Sequence, residues 1–164
     1  MGWRIFHHAG LAFCCRSRLS SNVRHHKDTP RMFSHIFVSV SDFARAFAFY
    51  SEVMRVLRLE QRFYDPEKPW AGWQSEGKAR PFFVICHPFD GQPHDPGNGQ
   101  MIAFTAPTRA TVEAAHTAAL AHGGSCEGTP GVRSQYHANY YGAYFRDPDG
   151  NKLCVVCHTA EQAA

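Results

Sequence analysis

The chain has 164 residues, 44% hydrophobic and 19% charged, with 13 Gly, 10 Pro and 6 Cys. This profile excludes a disordered, fibrous or disulfide-stapled chain. No stretch approaches the ~20 uninterrupted apolar residues that carry a helix across a bilayer, so no membrane is expected as a partner.

The formal charge of +3 divides unevenly along the chain. Residues 1–31 carry six basic groups (Arg4, Arg16, Arg18, Arg24, Lys27 and Arg31) against Asp28 alone, and the remainder carries eleven basic against thirteen acidic groups. A nucleic-acid partner is therefore not expected, because such binding needs a basic excess on the folded surface that meets phosphates. Residues 1–31 also hold the pairs His7-His8 and His25-His26 without sustained periodicity. They read as a disordered basic extension, or as translation from upstream of Met32. An export signal is not expected, since the apolar run over residues 5–15 is broken by His7 and His8. Cys14 and Cys15 fall in this extension, and Cys86, Cys126, Cys154 and Cys157 are scattered without a spaced framework. A reducing cytoplasm is the expected setting.

The folded part opens with an alternating, β-branched and aromatic run over residues 33–41, which predicts a half-buried strand. A helix follows, with Phe43, Ala46, Phe47, Tyr50, Met54 and Leu57 along one face, as expected of a helix that covers a sheet. Strands are predicted over 60–64, 70–75 and 81–87. Residues 88–99 pack three Pro and three Gly into twelve positions and read as a linker. The order then begins again with a strand over 100–106. The next helix, over 109–122, is apolar at Val112, Ala115, Ala119 and Leu120, has His116 and His122 facing solvent, and ends at Gly123-Gly124. A weak strand over 125–128 leads through a polar, aromatic loop to strands over 140–146 and 152–157. Asp147-Pro148-Asp149-Gly150-Asn151 joins these two as a tight turn.

Met101-Ile-Ala-Phe-Thr-Ala lies over His35-Ile-Phe-Val-Ser-Val at an offset of 66, and the two helices then coincide. The expected fold is α+β: two βαβββ modules, over residues 32–87 and 100–159, whose facing curved mixed sheets enclose a shared pocket, with 160–164 as a tail. That pocket is the default site for a small-molecule ligand.

His35 with the strand it opens, the amphipathic helix ending near Phe49-Tyr50, the second opening at Gly99-Gln100-Met101, His122-Gly123-Gly124, and the run from Tyr144 through Asp147-Pro-Asp-Gly-Asn-Lys152 together resemble the vicinal oxygen chelate superfamily of glyoxalase, bleomycin-resistance and extradiol dioxygenase proteins. The resemblance spans about residues 33–158. It implies one divalent metal held by residues from four strands, a Lewis acid for two neighbouring substrate oxygens. His35 matches the first ligand position, whereas Met101 stands where His is expected and Cys154 where Glu is expected. The fourth position falls near Ile85, with Cys86 and His87 beside it. Thioether and thiol are soft donors, poorly suited to Mg or Mn. Without a carboxylate at position 154, a glyoxalase-type proton transfer lacks its base.

Cys154-Val-Val-Cys157-His158 has the spacing of a haem attachment site. A strand would turn the two thiols to opposite faces ~10 Å apart, which suits neither haem nor a disulfide. The loop over residues 133–141 is rich in polar and aromatic side chains. In it Arg133 is suited to clamp a carboxylate or phosphate, and His137 and Tyr140 to donate hydrogen bonds or move protons. Tyr64, Trp73 and Tyr144 are the candidate flat walls for a bound ligand. Two functions are expected as alternatives. One is metal-assisted lyase, isomerase or dioxygenase chemistry through His35, Met101 and Cys154. The other is metal-free binding or sequestration of a planar ligand. A homodimer is the expected assembly.

Overall fold

The structure, a computed structural model, describes residues 32–161. The basic extension expected over residues 1–31, with Cys14 and Cys15, lies outside the described residues. The first module runs β1 (His35–Ser39), α1 (Phe43–Val56), β2 (Leu59–Asp65), β3 (Trp70–Ser75) and β4 (Phe82–Cys86). The second runs β5 (Ile102–Thr105), α2 (Arg109–Ala121), β6 (Ser125–Val132), β7 (Tyr141–Arg146) and β8 (Lys152–Cys157). Sheet order is β1-β4-β3-β2 in one module and β5-β8-β7-β6 in the other. In each, the first and last strands pair in parallel and the rest antiparallel. These are the two βαβββ modules read from the sequence, built as two open, four-stranded mixed sheets.

Local chemistry sets the helix ends. Asp42 caps α1 by accepting from Arg45 N, and Thr108 caps α2 by accepting from Thr111 N. α2 stops at His122, after which Gly123 takes φ 92, the left-handed geometry that glycine supplies without a Cβ clash. β6 continues past the expected end at residue 128 to Val132, with two register shifts against β7. Pro130 is tolerated there because β6 is an edge strand.

The hydrophobic core is one cluster that draws on both modules. Phe43, Ala46, Tyr50 and Met54 of α1 are buried as the periodicity predicts, but so are Phe49 and Val53. A single amphipathic stripe does not account for them. The reason is tertiary: α1 also packs on α2, and the Phe49 ring meets Phe145 of β7 edge-on at 6.2 Å. The expected surface position of His116 is corrected in the same way. It is 7% exposed, with its ring against Phe145, whereas Leu120, expected in the core, is 39% exposed.

The turn Asp147–Asn151 does more than join β7 to β8. Asp147 accepts from its own turn, at Asp149 N and Asn151 N, and from Tyr50 of the first module. Asn151 Nδ2 donates to Ser39 O on β1 at 3.0 Å, and Arg45 of α1 pairs with Asp149 at 2.9 Å. His94, in the linker, closes the bridge. A carbonyl only accepts, so His94 Nε2–H donates to Asp149 O at 3.2 Å, while Nδ1 shares a 2.8 Å hydrogen bond with the Ser39 hydroxyl.

Candidate functional site

Each helix covers one face of its sheet and leaves the other without a helix. Strand alternation sorts the side chains. On β8, Leu153, Val155 and Cys157 join the core, so Lys152, Cys154 and Val156 lie on the face turned away from α2. On β7 the same face carries Tyr144 and Arg146, and Tyr144 stands directly opposite Cys154.

The polar, aromatic loop folds back over this face. Arg133 N donates to Tyr140 O, closing the loop over residues 133–140. Tyr140 OH then lies 3.7 Å from Cys154 Sγ, and Tyr144 OH reaches Tyr140 OH at 3.5 Å. The Arg133 guanidinium sits 5.6 Å from the Tyr144 ring centroid and donates to Thr129 O and Val132 O. A guanidinium so held still has N–H groups to offer. The Tyr136 ring packs on Tyr140 at 4.8 Å.

Three glycines make room for this arrangement. A Cβ at Gly128 would stand 3.0 Å from Tyr144, one at Gly131 2.8 Å from Arg133 Nη1, and one at Gly142 2.9 Å from the Tyr140 ring. The sequence shows these glycines, but what crosses above each depends on side chains that converge only in the fold.

His137 pairs with His158, which the sequence raised only as part of a haem-like spacing. The rings stack at 5.1 Å with Nε2 of His137 2.9 Å from Nδ1 of His158. Asn139 N–H donates to His137 Nδ1 at 3.2 Å, so the His137 proton is on Nε2 and is donated to His158. His158 Nδ1 is then the acceptor of that bond.

The hydroxyls and the thiol of the cluster keep their protons. Burial pushes the Cys154 thiol and the Tyr144 hydroxyl above their ordinary ranges. Burial, reinforced by the bond to Tyr144, pushes the Tyr140 hydroxyl far upward. Arg133 is thus a cation set among protonated hydroxyls and a protonated thiol.

The structure brings Arg133, His137, Tyr140, Tyr144 and Cys154 together from the expected site residues. It places others elsewhere. Trp73 is 2% exposed on the α1 face of its sheet, packed among Phe47, Tyr50 and Phe83, so it is a core residue and no ligand wall. Tyr64 lies against the rings of Phe43 and Phe47. His35 is exposed at the start of β1, with its ring edge-on to Phe37 at 5.3 Å. Met101 lines a cleft of about 450 Å³ between the modules, together with Phe37 and Ser39 of β1, Asn151 and Lys152. Lys152 and Cys154 alternate onto one face of β8, so this cleft and the Tyr140 cluster share one sheet surface.

The described residues at the positions that the resemblance implies do not fit a divalent-metal centre. Among the described residues no group of three or more His, Cys, Asp or Glu could hold a metal ion. Cys154, at the position implied for a carboxylate, is a buried thiol that keeps its proton and meets Tyr140.

Comparison with known proteins places this architecture. A crystal structure of a glyoxalase/bleomycin resistance protein from Albidiferax ferrireducens T118 is 35% identical, with TM-score 0.70, covering 77% of this chain and 99% of that one. A lactoylglutathione lyase from Agrobacterium tumefaciens is 22% identical, with TM-score 0.52, over 78% of this chain and 94% of its own. The fosfomycin resistance protein FosX from Listeria monocytogenes is 18% identical, with TM-score 0.55, over 80% of this chain and 96% of its own. At such identities the last two share the fold. No curated protein sequence matches the chain. The model of one family matches residues 32–155, nearly all of both modules. The chain belongs to the Glyoxalase/Bleomycin resistance protein/Dioxygenase superfamily.

Proposed function

We propose that this chain binds a small planar carboxylate on the α2-remote face of the second sheet, without a metal ion. Of the two alternatives that the sequence leaves, this is the binding protein rather than the metal-assisted enzyme. The observation that carries it is the position of Arg133, held over Tyr144 beside the protonated Tyr140 and Cys154. A guanidinium among neutral donors selects an anion, and its planar fork matches a carboxylate with two parallel hydrogen bonds. The rings of Tyr136, Tyr140, His137 and His158 offer flat surface for the apolar part of the ligand.

Calorimetry with 2-naphthoate tests this reading, with 2-naphthalenemethanol as the uncharged control. The carboxylate binds and the alcohol binds much more weakly. Arg133→Gln lowers carboxylate affinity by about tenfold or more, the loss expected when a charge-assisted pair is removed. EDTA leaves binding unchanged. Binding that requires an added divalent metal, or that Arg133→Gln leaves intact, overturns the proposal.

A further inference from the structure

On the opposite face of the second sheet lies a thiol–imidazole pair that the ligand site does not use. Cys126 of β6 pairs with Phe145, whose side chain points into the core beneath α2. His116 reaches down from α2 and brings Nε2 to 3.3 Å from Cys126 Sγ. The two members are exposed very differently. His116 is 7% exposed, while Cys126 is open to solvent.

We propose that Cys126 and His116 form a nucleophile–base pair, and that Cys126 is a modification site oxidised by hydrogen peroxide to the sulfenic acid.

The other described thiols are differently placed. Cys154 is buried beside Tyr140, Cys157 is buried among Pro107 O and Thr159, and Cys86 is partly buried. Cys126 alone among the described cysteines combines exposure with an imidazole nitrogen at bonding distance. A weak nucleophile becomes reactive when a neighbouring base takes its proton as it attacks. Burial lowers the proton affinity of His116, which keeps the ring neutral and its lone pair available at neutral pH. The ring against Phe145 fixes its orientation.

In the reaction, the Cys126 sulfur attacks one peroxide oxygen and the O–O bond breaks. The thiol proton passes to His116 Nε2 and from there to the departing hydroxide, giving water. Sulfur loses two electrons, and the peroxide gains them.

The test treats the full-length protein with hydrogen peroxide, traps sulfenic acid with dimedone and assigns each site by peptide mass. Cys126 is labelled at least about tenfold faster in the native protein than in the same chain unfolded in urea, a floor beneath the ~10²–10⁴-fold that a positioned general base contributes. His116→Gln and His116→Phe remove that advantage while the label stays on Cys126. Cys126→Ser abolishes it. Labelling of native Cys126 no faster than in the unfolded chain refutes the pair even if the His116 variants fail to fold. So does a native rate that folded His116→Gln leaves unchanged. Because this face is separate from Arg133, 2-naphthoate binding stays the same in Cys126→Ser.

Discussion

The phenol of Tyr50, on α1 of the first module, donates a 2.7 Å hydrogen bond to Asp147 Oδ2, in the turn between β7 and β8 of the second. Both groups are buried, and the carboxylate also accepts from Asn151 Nδ2 at 2.8 Å. Burial first, and the Asp147 charge second, hold the Tyr50 hydroxyl well above its ordinary range, so it remains a donor. The bond ties the two halves of the core together at a point where water cannot replace it.

Tyr50→Phe removes that donor and leaves a buried carboxylate one partner short. The expected cost is about 1–3 kcal/mol. Urea unfolding measures it as a lower midpoint at unchanged slope. A loss below about 0.5 kcal/mol, the scale of an ordinary surface substitution, would mean that water reaches Asp147.

Two glycine substitutions should differ according to what the new Cβ meets. At Gly124 it would stand 2.7 Å from Arg146 O and 2.8 Å from Ala119 O, both backbone atoms held in place by β7 and α2. Gly124→Ala is therefore expected to destabilise by about 1–3 kcal/mol, the cost of overpacking. At Gly131 the Cβ meets the far end of the long Arg133 side chain, which can shift by giving up its bonds to Thr129 O and Val132 O. Gly131→Ala should leave thermal stability nearly unchanged and still weaken 2-naphthoate binding. Equal losses of stability in the two variants would contradict the placement of Arg133.

Stability should also depend on pH through His116. Burial lowers its folded-state value below the ordinary 6.5, so the unfolded chain binds its proton more readily. The stabilising term is complete above that ordinary value and is lost as pH falls from it toward the lower folded value. Unfolding midpoints compared at about pH 7.5 and 5.5 should fall with acidification. In His116→Phe this part of the fall disappears. The ion pairs of Glu127 with Arg146 and Lys152 hold its carboxyl below the ordinary 4.5, so their contribution persists to lower pH and does not mask the effect.

Arg45→Ala examines the bridge between α1 and the Asp147–Asn151 turn from its exposed side. The partner Asp149 is 2% exposed, and the Arg45 side chain is half in solvent. The loss should be about 1–3 kcal/mol, because the buried Asp149 carboxylate is left one partner short, and only the part that acts through the exposed guanidinium should shrink in high salt. A loss that high salt leaves wholly unchanged would indicate that Arg45 acts through packing.

The amino-acid sequence by itself determined the order of strands and helices, the duplication at an offset of 66 and, to within two residues, most element limits. β3 and β8 begin and end at the residues that the pattern assigned them. These properties are local: alternation, helical spacing, caps and turn residues act within a few positions of one another. Cys154 and Cys157 were likewise assigned to opposite faces by strand geometry alone, and Cys157 is in the core while Cys154 meets Tyr140. Tertiary structure decided the rest. Phe49 and His116 are buried by elements far along the chain, so no stripe on their own helices marks them. Trp73 reads as a flat wall from its residue type and is a core residue because α1 lies on its side of the sheet. The meeting of His137 with His158, and of glycines with the side chains above them, depends on register between strands. Register is a relation between distant segments, and no window of neighbouring residues contains it.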